Sequence, residues 1–259
     1  MLTSADSIGR ALARIMPFDQ VYSGNSVEQA VREDLDHLTV TALAPLAWAT
    51  NRAASEDLMS IRRLQEVVAT CRFDTLTLIS TCTVYPVPYR VDESTPINPA
   101  LLQPYARHRY DLERWCQDRW DTTVVRLPHV FGGPYRSETR NPARDLARFA
   151  ALNPASTKQH YDLTRLGADL AAVQAEALPL VNLVTPPVSN GRVLTELMGV
   201  PPLPGAESIP VVARDVRTRH ADRLGGAGGY LETEEAEVSR IAAYMTANAP
   251  APAPGLEGG

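Results

Sequence analysis

FDTLTLISTCTVYP, residues 73–86, is the stretch that decides the fold of this 259-residue chain. Apolar and β-branched residues dominate its first half, which is typical of a buried strand, and the hydroxyl of Thr81 follows at its end. A helical pattern begins 24 residues after Thr81 with the phenol of Tyr105, and the cation of Arg109 follows one turn later. Because positions i and i+4 share a helix face, these two side chains can cooperate. Together the two stretches predict an acid/base site beside a strand end.

Strands and helices alternate on both sides of this stretch. The predicted helices cover residues 6–16, 26–34, 55–71, 104–120, 162–178, 190–199 and 233–245, and the predicted strands cover residues 18–24, 37–44, 73–80, 122–132 and 179–187. Such alternation indicates an α/β fold in which a doubly wound parallel sheet carries helices on both faces.

The composition excludes several classes of protein. The net charge is −5 and no basic tract occurs, which disfavours a nucleic-acid-binding protein. No run approaches the roughly 18 apolar residues that a membrane span needs, and the N-terminus does not resemble a secretory signal. The three cysteines have no metal-binding spacing and do not suggest a disulfide framework. These features predict a cytoplasmic protein that binds a small molecule, with no metal, nucleic acid or membrane partner.

Four motifs in order resemble the extended short-chain dehydrogenase/reductase family, the NAD-dependent nucleotide-sugar epimerases and dehydratases. LISTCTVYP (78–86) is similar to the family's strand that ends in Ser-Ser/Thr-x-x-Val-Tyr, and YARHRYDLE (105–113) keeps its Tyr-x-x-x-Lys-x-x-x-Glu spacing with Arg for Lys. VVRLPHVFGGP (124–134) is similar to its Arg-Pro-x-x-Val-Tyr-Gly-Pro segment. QHYDLTRLGAD (159–169) resembles a segment that normally reads Arg-Asp-Phe-x-x-Val-x-Asp.

The resemblance implies a domain organisation and a set of site residues. Residues 1–133 and 158–186 would form a Rossmann-like core, residues 134–157 and 187–246 a substrate lobe, and residues 247–259 a disordered tail. Tyr105 would be the acid/base, Thr81 would hold the same substrate oxygen, and Arg109 would supply the cation that favours a phenolate. The resemblance also places three residues at the substrate: His129, Cys82 and Asp57.

Two departures from the family bear on its cofactor, NAD or NADP. The family opens with Gly-x-x-Gly-x-x-Gly, which lets the backbone approach a pyrophosphate, but here TSADSIG keeps only Gly9, and Asp6 brings a carboxylate. Asp6 is most simply a helix N-cap. Arg109 replaces a compact ammonium that hydrogen-bonds the nicotinamide ribose, and the two cations are not interchangeable. Only one lysine, Lys158, occurs beside 24 arginines, so composition contributes to this replacement.

Three functions remain open from the sequence. The first is an NAD(P)-dependent epimerase, dehydratase or reductase that acts on a nucleotide-linked sugar or a secondary-metabolite intermediate. The second is a cofactor-independent isomerase, lyase or cyclase, and the third is a non-catalytic partner subunit. The family commonly dimerises through two long helices, here residues 55–71 and 105–120, which predicts a homodimer. Structural alternatives are a packed Cys82, an exposed His108 and an Arg109–Glu113 pair on a solvated helix face.

Overall fold

The computed structural model describes residues 1–3, 7–43, 53–132 and 152–247. The strands are β1 Leu2–Thr3, β2 Tyr22–Ser23, β3 Asp34–Thr41, β4 Arg72–Thr81, β5 Tyr89–Val91, β6 Thr122–Leu127, β7 His129–Phe131, β8 Thr157–Lys158, β9 His160–Asp162, β10 Leu180–Asn182, β11 Val188–Ser189 and β12 Asp215–Val216. The helices are α1 Ser7–Ile15, α2 Ala54–Val68, α3 Pro104–Gln117, α4 Leu166–Ala175, α5 Asn190–Arg192 and α6 Glu234–Ala247. Asp6, most of the predicted lobe segment 134–157 and the predicted tail beyond residue 247 lie outside the described residues.

Six parallel strands form the central sheet in the order β10-β6-β4-β3-β1-β2. The strand predicted from residues 73–86 is β4, and it lies between β3 and β6 in the middle of the sheet. Thr81 pairs with Leu127 at its carboxyl end, so the ends of β4 and β6 meet at one edge. The order reverses direction at β1, which has β2 on one side and β3 on the other. Ligands of such sheets bind beyond the carboxyl ends, near the reversal.

Two hydrophobic layers cover the two faces of this sheet. Alternate residues of a strand point to opposite faces, and Leu78 and Ile79 of β4 accordingly lie in different core clusters. Ile79 packs in the cluster that contains Leu12 of α1 and Leu170 of α4. Leu78 packs in the cluster that contains Leu64 of α2 and Leu112 of α3. Helices on both faces confirm the doubly wound α/β prediction.

The first part of the sheet is smaller than the sequence pattern predicts. β1 contains only Leu2–Thr3, and the predicted strand 18–24 is reduced to Tyr22–Ser23. Residues Gly24–Ala30, predicted as an α-helix, form a 3₁₀ helix instead. β1 nevertheless pairs with both of its neighbours, so the sheet is continuous through this strand.

The C-terminal segment returns to the core through short strands and buried amides. β12 pairs in parallel with β5, and β9 pairs in parallel with β7. The Gln159 side-chain amide donates to the carbonyl oxygens of Thr185 and Val216, each at 2.7 Å, and its oxygen accepts from the Val216 N–H at 2.8 Å. These contacts attach a small lobe to the sheet. The exact lobe boundaries stay a prediction.

Two expectations from composition can be compared with the described part of the chain. None of its helices is long and apolar enough to cross a membrane. Within the same residues, no group of three or more metal-binding side chains comes together. The three cysteines are free and buried.

Candidate active site

Thr81 ends the central strand β4 and begins a tight turn. Its hydroxyl accepts a hydrogen bond from the Thr83 N–H at 3.2 Å and so caps the 3₁₀ turn Cys82–Val84. The hydroxyls of Thr81 and Thr83 are 3.1 Å apart. Because Thr81 accepts the backbone N–H, its own hydrogen can be donated either to Thr83 Oγ1 or to an oxygen at the sheet edge. The strand end therefore presents a positioned hydroxyl, as the sequence predicts.

Tyr105 lies in the first turn of α3, beside this strand end. Pro104 begins the helix, where a missing N–H costs nothing. The helix packs on β4 and on the turn Cys82–Val84, and this contact brings Tyr105 to the part of the fold that carries Thr81. The residue is 4% exposed. The structure therefore places both predicted chemical groups around one junction of strand and helix.

Arg109 stacks on the ring of Tyr105. Its Cζ lies 4.1 Å from the ring centroid, a cation–π contact between positions one helical turn apart. The guanidinium is buried, and its Nε donates to the Ala42 carbonyl oxygen at 2.7 Å. Its Nη1 donates to Asp57 Oδ2. Tyr105 therefore contacts a cation, as the i, i+4 spacing predicts. Two nitrogens of that cation donate to other groups of the protein.

Asp57 joins helices α2 and α3 through one carboxylate oxygen. Oδ2 contacts Nη1 of Arg109 and lies 2.6 Å from Nδ1 of His108. Both the Asp57 and His108 side chains are largely buried, at 8% and 12% exposed. The expectation of an exposed His108 is therefore wrong, because Asp57 reaches across from α2 and draws the imidazole into the helix interface. The predicted contact of Asp57 with substrate stays a prediction.

Glu113 does not pair with Arg109, although the two stand four positions apart on α3. Glu113 instead receives two donors of Arg126 from β6, with Nη2–Oε2 at 2.6 Å, and the Ser80 hydroxyl at 2.5 Å. Burial opposes the charge of Arg126, but the Glu113 carboxylate outweighs it and raises the pKa of Arg126. The alternative of an Arg109–Glu113 pair on a solvated face is thus wrong. Glu113 holds α3 against the sheet.

The network continues from Arg126 to the substrate side of the sheet. The Tyr85 hydroxyl accepts from Nη1 of Arg126 and from the Asn182 amide, both at 2.9 Å, and donates to the Asp92 carbonyl oxygen at 3.0 Å. Burial raises the pKa of Tyr85 strongly. This second tyrosine is therefore a neutral structural link, and Tyr105 is the better candidate for proton transfer.

The remaining predicted substrate residues have contrasting environments. Cys82 packs in a hydrophobic cluster with Val84 and Val216, and burial raises the pKa of its thiol strongly. This favours the packed-thiol alternative. His129 begins strand β7, and its N–H donates to the Gln159 carbonyl oxygen at 3.2 Å. Its ring meets the His160 ring edge-on at 5.6 Å. Substrate contacts of both residues stay predictions.

Sequence reasoning missed a cation near Cys82. Arg214 lies just before β12, and its charge acts on the Cys82 thiol. Arg214 is exposed, and none of the described carboxylates pairs with it, whereas its neighbour Arg217 pairs with Asp215. An unpaired cation near the strand ends is a candidate anion-binding group. The signal in the sequence is the close spacing of arginines at 214, 217 and 219.

Comparison with known proteins agrees with this geometry. The model of the NAD dependent epimerase/dehydratase family matches residues 23–167, more than half of the chain. This chain is a member of the NAD dependent epimerase/dehydratase family. The family match contains Thr81, Tyr105 and Arg109, but it begins after β1 and α1. No curated protein sequence matches the chain.

Solved structures of epimerases and dehydratases share the fold of this family member at low identity. UDP-N-acetylglucosamine 4-epimerase from Methanobrevibacter ruminantium has a TM-score of 0.67 at 10% identity, covering 95% of this chain and 96% of its own. UDP-glucose 4-epimerase from Bifidobacterium longum, in complex with NAD+ and UDP, has a TM-score of 0.64 at 14% identity, and the match covers 95% of this chain and 98% of its own. RMD from Pseudomonas aeruginosa, complexed with NADPH, has a TM-score of 0.61 at 15% identity, and the match covers 88% of this chain and 92% of its own.

The described residues do not fit the family's nicotinamide cofactor at position 109. Arg109 is 3% exposed, and its Nε and Nη1 donate to the Ala42 carbonyl oxygen and to Asp57, so the side chain would have to move and give up these contacts before a ribose hydroxyl could reach it. Breaking a buried ion pair costs about 3–5 kcal/mol, whereas a hydrogen bond from a charged group returns about 1.5–3 kcal/mol. Gly9, the one glycine retained from the family loop, is buried in the first turn of α1. Residues 4–6 of that loop lie outside the described residues.

Proposed function

We propose that this chain is an enzyme of the epimerase/dehydratase type in which Tyr105 is the acid/base and Thr81 holds the same substrate oxygen. The observation that carries the proposal is the buried Tyr105 at the start of α3, packed beside the end of β4 with a guanidinium 4.1 Å from its ring centroid. A phenol in this position can exchange a proton with a substrate at the sheet edge.

Thr81 and Arg109 have separate roles in this proposal. The Thr81 hydroxyl, held by the Thr83 N–H, donates to the substrate oxygen from which Tyr105 removes or to which it returns a proton. The positive charge of Arg109 against the ring favours a phenolate over a phenol. Asp57 compensates part of that charge, so the stabilisation is weaker than a free cation would supply.

A nucleotide-linked sugar, or a related secondary-metabolite intermediate, is the proposed substrate class. A structure similar to this chain, MoeE5, is in complex with such a ligand, UDP-glucose, together with NAD. Within this chain, Arg214 offers a guanidinium without a carboxylate partner among the described residues, close to Cys82 at the end of β4. A diphosphate is the kind of group that would pair with it.

The proton transfer proposed for Tyr105 can occur either in an NAD(P)-dependent enzyme or in a cofactor-independent one. The family expectation is NAD or NADP as hydride carrier. The bonding of Arg109 to Asp57 and Ala42 favours the second arrangement, a cofactor-independent isomerase, lyase or cyclase on the same fold. We also propose a cytoplasmic location, since the three thiols are free and buried.

Turnover of nucleotide sugars tests the proposal. The natural chain is incubated with UDP-, dTDP- and GDP-linked hexoses, with and without NAD(P), and products are identified by NMR and mass spectrometry. We expect conversion, and a loss of about 10²–10⁴-fold in Tyr105→Phe because the proton-transfer group is removed. Tyr89→Phe, at a tyrosine 49% exposed, is the matched control and should retain full activity.

Two results would contradict this proposal. Full activity of Tyr105→Phe would remove Tyr105 from the mechanism. A natural chain that converts none of these sugars under either condition would exclude the proposed substrate class, and tight association with an active relative would then favour the non-catalytic partner subunit.

A further inference from the structure

The fold and the family match differ at the first strand–turn–helix unit. The match begins at residue 23, whereas the sheet begins with β1, which pairs with β2 and β3. Leu12 of α1 is buried in the core. The strand and helix of this unit are therefore part of the folded core, although the family match does not include their sequence. In doubly wound sheets it is the unit that holds a dinucleotide pyrophosphate at the helix N-terminus, and the chain has Asp6 in place of a glycine there.

The second observation concerns the opposite end of such a cofactor and is independent of the first. Arg109 is 3% exposed, and its donors Nε and Nη1 are used by Ala42 and Asp57. One face of the guanidinium is covered by the Tyr105 ring. Releasing a buried ion pair costs more than a hydrogen bond to a neutral hydroxyl returns. The guanidinium beside Tyr105 is thus buried and held in place by Asp57 and Ala42, and it would have to move before a ribose hydroxyl could reach it.

We propose that this chain binds no nicotinamide dinucleotide, that the Asp57–Arg109 ion pair stands in place of the ribose anchor, and that the reaction at Tyr105 is redox-neutral. In an isomerisation, the proton that the phenolate takes from the substrate is returned to the product. In an elimination, it leaves with the departing hydroxide as water. Neither reaction changes the oxidation level of the substrate as a whole or needs a hydride acceptor. The inference goes beyond the proposed function, which holds with or without a cofactor.

Direct binding measurements on the full chain test this proposal. NADH and NADPH are titrated by fluorescence, and NAD+ and NADP+ by calorimetry. We expect no saturable binding, which corresponds to a Kd weaker than about 1 mM. Saturable micromolar binding of any of the four dinucleotides by the natural chain would overturn the proposal.

The role of the ion pair is tested by restoring a free ammonium. Asp57→Asn/Arg109→Lys removes the carboxylate and supplies a compact donor, and it is made in the natural chain and in the Asp6→Gly background. We expect this variant to gain at least roughly tenfold in NADH affinity over its parent in the Asp6→Gly background. The control Asp111→Asn/Arg107→Lys changes an exposed ion pair of the same helix and should gain nothing.

Each outcome decides the matter separately from the turnover experiment. A folded Asp57→Asn/Arg109→Lys chain without any gain in either background would show that the ion pair does not exclude the dinucleotide. If this variant melts at a much lower temperature, Arg109→Lys alone is titrated instead under the same criterion. Dinucleotide binding is measured without substrate, so a failure of the proposed turnover at Tyr105 leaves the binding result intact.

Discussion

At the scale of single residues, the arginines near Tyr105 form their ion pairs with carboxylates of other helices and strands. Arg109 and Glu113 have the i, i+4 spacing of a helical ion pair, yet Arg109 pairs with Asp57 of α2 and Glu113 with Arg126 of β6. Burial is the reason. A charge removed from water needs a close opposite charge and further hydrogen bonds, and these come only from groups that the packing brings next to it.

We predict that Glu113→Ala destabilises the protein by about 3–5 kcal/mol, because it leaves the Arg126 guanidinium buried without its carboxylate. Urea unfolding measures the loss. Asp118→Ala is the control, since its partner Arg114 is exposed, and it should cost about 0.5 kcal/mol or less.

The double variant Glu113→Leu/Arg126→Met sharpens this prediction. It removes both buried charges and should be more stable than Glu113→Ala, because no unpaired ion remains. Equal losses in Glu113→Ala and Asp118→Ala would refute the interpretation that burial sets the value of this pair.

At the scale of elements, the last helix α6 docks on strand β9 through a buried carboxyl group. Oε1 of Glu237 accepts the His160 N–H at 2.9 Å, and the residue is 0% exposed. Burial raises the pKa of Glu237 to about 8, the charges of Glu232 and Glu234 act in the same direction, and the hydrogen bond from the His160 N–H opposes them. The imidazole Nδ1 of His160 faces the same oxygen at 3.4 Å. The attachment of α6 is therefore sensitive to pH.

The pKa of Glu237 predicts that stability falls as pH rises from about 4.5 to about 8. In that interval the carboxyl group is ionised in the unfolded chain and protonated in the folded one, so raising the pH favours unfolding. The contribution is complete below the unfolded pKa and is lost by about pH 8. The loss amounts to no more than roughly 5 kcal/mol.

Thermal unfolding as a function of pH checks this prediction. Glu237→Gln keeps an acceptor for the His160 N–H but cannot ionise, so its melting temperature should fall less than that of the natural chain over this interval. Glu235→Gln, at an exposed position of the same helix, should leave the profile unchanged. Identical profiles for all three proteins would show that Glu237 does not control the attachment.

At the scale of the whole molecule, buried polar groups connect the C-terminal segment to the sheet. Gln159 bonds to Thr185 and Val216, and the side chain of Asn182 donates to the Arg217 carbonyl oxygen at 2.8 Å. Glu93 accepts from the Thr218 hydroxyl at 2.7 Å. Buried polar groups need partners in fixed directions, so these hydrogen bonds fix the orientation of the C-terminal segment on the sheet.

The homodimer remains a prediction at this scale. Helices α2 and α3 pack together, and Met59 of α2 is 69% exposed. We expect light scattering after size exclusion to give twice the chain mass of 28.2 kDa, and Met59→Arg to shift it toward the monomer. Leu203→Arg, at an exposed residue of the C-terminal segment, should leave the mass unchanged. A mass of one chain at every concentration would contradict the prediction.

The sequence by itself determined the layers of this protein, the position of Thr81 at a strand end, and the positions of Tyr105 and Arg109 one turn apart on a helix. That these three residues form one site stays a prediction. Those predictions depend on local periodicity and on short spacings, which set which residues are buried and which share a helix face. The strand predicted at residues 18–24 was too long, because a two-residue strand such as β2 depends on its neighbours in the sheet more than on its own pattern.

Only the tertiary structure decided which charges pair and which groups remain available. Asp57 and Arg109 are 52 residues apart, and Ser80 and Glu113 are 33 apart. Likewise, Glu237 meets His160 across 77 residues of chain. No spacing rule reaches over such separations, because these contacts arise when helices and strands pack and every buried charge must find a partner. The same packing that buries Tyr105 also pairs the neighbouring Arg109 with Asp57.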